Sequence, residues 1–351
     1  MSAFSCDGGI VAACTCHPSR RQVLMGGAAL GLAAGVRRAA AQSAPAAERI
    51  DVHHHLVPPG YVAAVSTKAP VSPPIQHWSL QKTIDDMGQA GVGKAMLSVT
   101  TPGLWFGDVS FAAPLARSCN EYGAKLMADP SGRFGYFAAL PLPDVDASLK
   151  EIAYAYDVLH TDGIAMFTSY GDKWLGDPAF APVFEELNRR QAVVFTHPTT
   201  AQCCGNLIPF IPDPAIEFGT DTTRTIASLV FSGAAARYPD VRFVFSHAGG
   251  TMPFLIERFQ FIARDPAMQA KTGIGLLPLL QRFYYDTAQA SNPIAMTALR
   301  TLVPNSQILF GTDFPFRTAA EHVKGLAACG FTAAEMAGIN RDNAERLLAR
   351  G

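Results

Sequence analysis

From Ile50 onward one pattern recurs: a short β-branched or aromatic run, a polar or glycine break, then an amphipathic stretch of helical length. The apolar runs predict strands over 50–54, 94–99, 134–139, 163–167, 192–196, 241–246, 283–285 and 307–310. Between them the periodicity predicts helices over 80–90, 109–128, 146–159, 178–190, 221–237, 251–263, 293–302 and 319–328, with 332–348 closing the chain. The strands read as continuous apolar runs rather than alternating ones, as expected when helices cover the outside of a parallel sheet. Eight strand–helix units in this length fit a closed (β/α)8 TIM barrel better than an open doubly wound sheet. A Gly-x-Gly-x-x-Gly turn after the first strand is missing, which removes the main signal for a dinucleotide site. Two longer segments, 58–77 and 198–219, are rich in proline and follow strands 1 and 5; they are expected to cover the barrel mouth as substrate loops.

Residues 1–41 depart from this pattern. Ser19-Arg20-Arg21-Gln22-Val23-Leu24 precedes a run, 25–36, made only of Gly, Ala, Leu, Met and Val, and Arg37-Arg38 and Ala39-Ala40-Ala41 follow. A charged head, a moderately apolar middle and a small-residue exit are the parts of an export signal, here of the twin-arginine kind. The run is shorter than the roughly 20 residues needed to span a bilayer, so no permanent membrane anchor is expected. The division is therefore a leader over 1–41, a linker over 42–49 and a catalytic domain over 50–351, with the mature protein exported to the periplasm. If the leader is not functional, the protein is cytoplasmic.

Composition narrows the partners. With 28 Lys+Arg against 29 Asp+Glu there is no basic excess to follow a phosphate backbone, which argues against nucleic acid. Of seven cysteines, Cys6, Cys14 and Cys16 lie in the leader. Cys119, Cys203, Cys204 and Cys329 are too few for a disulfide scaffold, and the adjacent pair is read as loop packing.

The chemistry is carried by strand ends. In Asp51-Val52-His53-His54-His55, alternation puts His53 and His55 on one face and His54 on the other. His197 ends the fifth strand, His247 the sixth, and Asp313 follows the eighth. In a barrel these ends converge on the face where such enzymes place their chemistry. Imidazole and carboxylate donors in a near-tetrahedral set with an open position suit one divalent ion, Zn²⁺ first and Mn²⁺ second. Asp286, after Tyr284-Tyr285, is a candidate to orient a ligand histidine. Trp78, Trp105, Phe106, Phe167, Tyr170 and Phe314 sit near strand ends and are candidates to sandwich a ring.

These motifs, together with Phe195-Thr196-His197-Pro198, Phe245-Ser246-His247-Ala248-Gly249-Gly250, Phe310-Gly311-Thr312-Asp313-Phe314-Pro315, Asp221-Thr222-Thr223-Arg224 and Asn343-Ala344-Glu345-Arg346-Leu347, resemble the metal-dependent amidohydrolase superfamily. The likeness is to its branch of non-oxidative decarboxylases, which includes the aminocarboxymuconate-semialdehyde and γ-resorcylate enzymes. The triple histidine followed by Pro58-Pro59 and Tyr61 looks most like the 6-methylsalicylate decarboxylases. The resemblance implies metal ligands His53, His55, His197 and Asp313, and a non-ligand catalytic histidine at His247. It also implies a homodimer in which Arg258 reaches the neighbouring site to hold a substrate carboxylate. The stretch 80–90 offers Thr83, Asp85 and Asp86 where a relative carries arginines, which favours a monocarboxylic substrate.

The function expected is removal of CO2 from a small carboxylic acid, an ortho-hydroxy aromatic (salicylate-like) or related enoic acid, with Asp313 or His247 delivering the proton. The alternative from the same residues is hydrolysis of a lactone or small ester. No lysine stands at the end of the fourth strand to bridge two metals, so a mononuclear centre is expected in either case.

Overall fold

The apolar runs form eight parallel strands: β1 (Arg49–His55), β2 (Val92–Ser98), β3 (Phe134–Ala139), β4 (Gly163–Phe167), β5 (Val193–His197), β6 (Arg242–Phe245), β7 (Tyr284–Asp286) and β8 (Ile308–Leu309). They pair in sequence order. β8 returns to β1 through Val52 N–H donating to Phe310 O (3.0 Å) and Asp313 N–H donating to His53 O (2.8 Å), so the sheet closes as a (β/α)8 TIM barrel. The computed structural model describes residues 49–349. The predicted leader lies outside those residues, as does the linker apart from Arg49, which already belongs to β1. Among the described residues no helix is long and apolar enough to cross a membrane.

Two apolar layers hold the barrel. Inside it, Val52, Met96, Phe137, Val193, Phe195, Val244 and Leu309 pack together. Outside, strand residues such as Leu97, Tyr136, Ile164 and Phe243 meet helix residues such as Ile152, Phe184 and Leu229. Each face of each strand is thus buried, the reason the runs lack polar alternation.

The predicted strands are all present, displaced by at most two residues at their ends. Two short helices between β6 and β7, Pro266–Thr272 and Leu276–Arg282, were not predicted. Gly273, with φ +60°, and Gly275, with φ +100°, separate them and break any periodicity long enough to read. The helix predicted over 221–237 begins at Glu217, inside the segment read as a loop, and stops at Gly233, whose φ is +88°. Its Asp221 is fully buried and accepts hydrogen bonds from Ser169 Oγ (2.9 Å), Trp174 Nε1 (2.7 Å) and Thr168 Oγ1, which ties the helix to the segment after β4.

The reading of Cys203 and Cys204 as packing is corrected. A 3-10 turn at Gln202–Cys204 brings the two sulfurs together as a disulfide between neighbouring residues, while Cys119 and Cys329 are free and buried.

Candidate metal centre and cleft

Strict alternation along β1 would set His53 on the side of Asp51, opposite Val52. The register shifts between Asp51 and His54, and this bulge lets Val52 join the barrel interior while the His53 ring lies above it, 4.9 Å from the Phe195 ring. His55 shares the face of His53, and His54 turns away to stack on Phe314 at 4.7 Å. Below the site the buried Asp51 accepts from His53 N–H (3.0 Å), His54 Nδ1 (2.9 Å), Thr312 N–H (3.1 Å) and Thr312 Oγ1 (2.6 Å). That one carboxylate therefore fixes the end of β1 against the turn that carries Asp313.

Each of three imidazoles has its Nδ1 engaged by an acceptor. His53 Nδ1 donates to Asp286 Oδ2 (2.7 Å), His55 Nδ1 faces Ser98 O (3.3 Å), and His197 Nδ1 donates to Pro198 O (2.8 Å). A carbonyl or carboxylate only accepts, so His53 and His197 carry a ring proton on Nδ1; His55 Nδ1 is equally close to Ser98 Oγ (3.3 Å), and the Nε2 atoms of all three point inward. His53 Nε2 and His55 Nε2 are 3.1 Å apart, and Asp313 Oδ1 lies 3.2, 2.9 and 3.8 Å from the Nε2 atoms of His53, His55 and His197. His197 Nε2 and His247 Nε2 are buried with no hydrogen-bond partner.

Lone pairs and a carboxylate oxygen this close repel one another unless a cation lies among them. Donors bound tetrahedrally at roughly 2.0–2.1 Å would stand about 3.3 Å apart, and the separations here bracket that value. The cluster is a divalent-metal site: the donor atoms of His53, His197, His247 and Asp313 lie within 4.8 Å of one another, and His55 joins them through His53 and Asp313. The electrostatics agree. Burial lowers the proton affinity of His53, but Asp286 and Asp313 outweigh it and raise its pKa to about 10, the sign of a site built to hold positive charge. Burial pushes His55 down to about 3 and His197 down to about 4, leaving both neutral and able to ligate. Burial alone would raise Asp313, yet His53 and the imidazoles of His197 and His247 beside it hold it well below the usual carboxylate range.

His247 stands apart from these three. It occupies a tight turn after β6 with φ +55°, its N–H donates to Asp286 Oδ1 (2.9 Å), and its Nε2 lies 3.4 Å from Asp313 Oδ2. The turn needs the glycines that follow. At Gly250, with φ +65°, an added Cβ would fall 2.0 Å from Gly219 O.

Asp286 thus holds the imidazole of His53 with one oxygen and the backbone of His247 with the other. Asp286→Asn is expected to weaken metal binding by about 10- to 100-fold, measured by competition with a coloured chelator. Unchanged affinity would mean that the tautomer of His53 is set elsewhere.

Beside the cluster lies a cleft of about 620 Å³, lined by His197, His247 and Asp313 on its floor and by Phe218, Phe254 and Phe316 on its walls. No lysine or arginine is among the described residues lining it. The six aromatic residues expected around a ring are not there. Trp105, Phe106, Phe167 and Tyr170 line a separate cavity of about 440 Å³, and Trp78 and Phe314 line another. Strand-end position identified residues near the mouth, but the loops that fold over it decide which of them face the substrate. Arg258 is exposed on the helix Ile256–Ile262 and does not line the cleft. Gln289, which the sequence reading did not single out, does line it; it lies three residues past Asp286, where a strand-end position was the available signal.

Residues 50–350 match a family model described as amidohydrolase. The chain is 36% identical over 323 residues to the decarboxylase yanB of Aspergillus niger, covering 86% of this chain and 88% of that one. It is 39% identical over 276 residues to the 6-methylsalicylic acid decarboxylase of Penicillium expansum, covering 76% and 85%. A solved structure of an amidohydrolase II superposes with a TM-score of 0.80 at 27% identity, covering 86% of this chain and 100% of the other.

Proposed function

The chain belongs to the amidohydrolase family, and on that premise we propose that its substrate is an ortho-hydroxy aromatic acid, salicylate-like, or a related enoic acid. It is a metal-dependent, non-oxidative carboxy-lyase. The observation that carries the substrate class is a cleft with aromatic walls and a metal site on its floor, uncharged by any lining lysine or arginine among the described residues. A single carboxylate, aimed at that floor, has its charge answered there; a second one would find no lysine or arginine among the described lining residues to pair with.

We assign His53, His55, His197 and Asp313 as the ligands, and Zn²⁺ ahead of Mn²⁺ because imidazole donors dominate the set. When bound, the ion supplies Lewis-acid charge that holds the substrate's oxygens and draws electron density from the ring. The protein's own residues do the rest. Phe218 and Phe316 flank the cleft and narrow the space in which a ring can lie. His247 Nε2, 3.4 Å from Asp313 Oδ2, is placed to supply a proton that this oxygen relays to the carbon bearing the carboxylate. The electron pair of the breaking C–C bond returns to the ring, and CO2 leaves. The reading also includes a homodimer. Arg258 stands beside the exposed side chains of Phe254, Phe261 and Ile262, an apolar and basic face that a second copy would cover. Export through the twin-arginine-like leader belongs to the same reading and rests on the sequence of residues 1–41 alone.

The test is a panel of ortho-hydroxy carboxylic acids and, separately, lactones and small esters, scored for CO2 and for ring-opened acid. CO2 from a salicylate-type acid, lost on chelation and restored by Zn²⁺ or Mn²⁺, is the expected result. Acid formation from lactones, with no CO2 from any carboxylate, would overturn the substrate assignment.

A further inference from the structure

Asp313 has two oxygens with different surroundings. Oδ1 faces the three imidazoles whose Nε2 atoms converge, and Oδ2 faces His247 and the side chain of Gln289, whose Nε2 donates to it at 2.8 Å. A carboxylate on a single rotatable bond can exchange these two oxygens or tilt between them. The Gln289 amide is the shortest restraint against that motion on the Oδ2 side.

Gln289 is itself held from below. Its backbone N–H donates to His322 Nε2 at 3.0 Å, and His322 Nδ1 donates to Thr318 O at 3.0 Å, so one tautomer serves both bonds. His322 is fully buried on the helix Ala319–Ala327, whose first turn is fixed by a reciprocal Thr318–Glu321 cap. The backbone of Gln289 is in the left-handed region, with φ +55°. Of the eight non-glycine residues with positive φ among the described residues, four are His247, Ala248, Gln289 and Asp313, and all four line the cleft. Such conformations cost energy and persist where the surroundings enforce them, commonly at functional sites.

We propose that Gln289 is a positioning residue that fixes which oxygen of Asp313 faces the metal and which faces the substrate. The inference rests on Asp313 being a metal ligand, as assigned above, and does not depend on which acid is the substrate. It makes the anchored segment after β7 part of the metal centre, through a chain from His322 to Gln289 to Asp313.

The variant Gln289→Met keeps the length of the side chain and removes the donor; Gln289→Asn keeps an amide that is too short to reach and tolerates the left-handed backbone. With the purified holoenzyme, each is expected to bind metal about tenfold or more weakly in chelator competition, the range seen when groups that orient ligands are removed. On any acid that turns over, kcat should fall by a similar factor with KM within about threefold of the parent, and the melting temperature of the metal-free protein should be unchanged. Metal affinity within twofold of the parent in both variants would overturn the proposal. The metal measurement needs no substrate, so a failed acid panel would leave this test standing.

Discussion

Asp313→Asn is expected to lower kcat/KM for CO2 release by at least about 10³-fold and to leave purified protein with little bound metal. Asparagine is the right replacement because Asp313 has φ +65°, a conformation asparagine tolerates better than alanine. The backbone bond from residue 313 N–H to His53 O, 2.8 Å long, survives the change, so the barrel closure that it helps to make is kept. What is lost is the negative charge beside three imidazoles whose Nε2 atoms lie 2.9–3.8 Å from Oδ1. A Lewis acid lowers the barrier by several kcal/mol, and each 1.36 kcal/mol is tenfold in rate, which gives the thousandfold figure. Elemental analysis and a CO2 assay on the same preparation measure both halves. Full activity with full metal would leave the proposed mechanism without a centre.

His247→Asn should separate proton delivery from metal binding. Here kcat is expected to fall by about 10²- to 10⁴-fold, the usual contribution of a positioned acid or base, while metal content stays at the parent level. His247 Nε2 faces Asp313 Oδ2, the oxygen on the side away from the ligand cluster, at 3.4 Å, and its φ of +55° again favours asparagine as the test. Yet the donor atoms of His247 are close enough to those of His53, His197 and Asp313 to count as a candidate ligand. Loss of metal together with activity would move His247 into the ligand set and His55 toward the role of hydrogen-bonded neighbour.

Much of this site is legible in the amino-acid sequence alone. Histidine at the end of an apolar run is uncommon in a purely structural strand, and His53, His55, His197 and His247 all stand at such ends, with Asp313 just past another. The barrel topology turns that one-dimensional coincidence into convergence on one rim. Asp286 was also readable, since it ends the seventh run, and it engages His53 at 2.7 Å. The aromatic walls were not. Trp105 and Phe106 follow a strand as closely as any substrate-binding residue would, but the loop carrying them folds around Phe167 and Tyr170, away from the cleft. Phe218 and Phe254 reach it from elements whose starts were blurred by glycine and proline. Gln289 offered only its nearness to a strand end, because its hydrogen bonds reach a carboxylate 24 positions away and a histidine 33 positions away.

The amino-acid sequence by itself determined the eight strand–helix units, the closed parallel architecture and the residues that meet at the metal site. Those follow from hydrophobic period and strand-end position, which are local properties of the chain. Only the tertiary structure decided the bulge that sets His53 above Val52, the tautomers enforced by Asp286 and Pro198, the cleft walls and the hydrogen bond from Gln289 to Asp313. Each of those depends on which distant groups the closing of the barrel brings within hydrogen-bonding distance, and no periodicity along the chain encodes that.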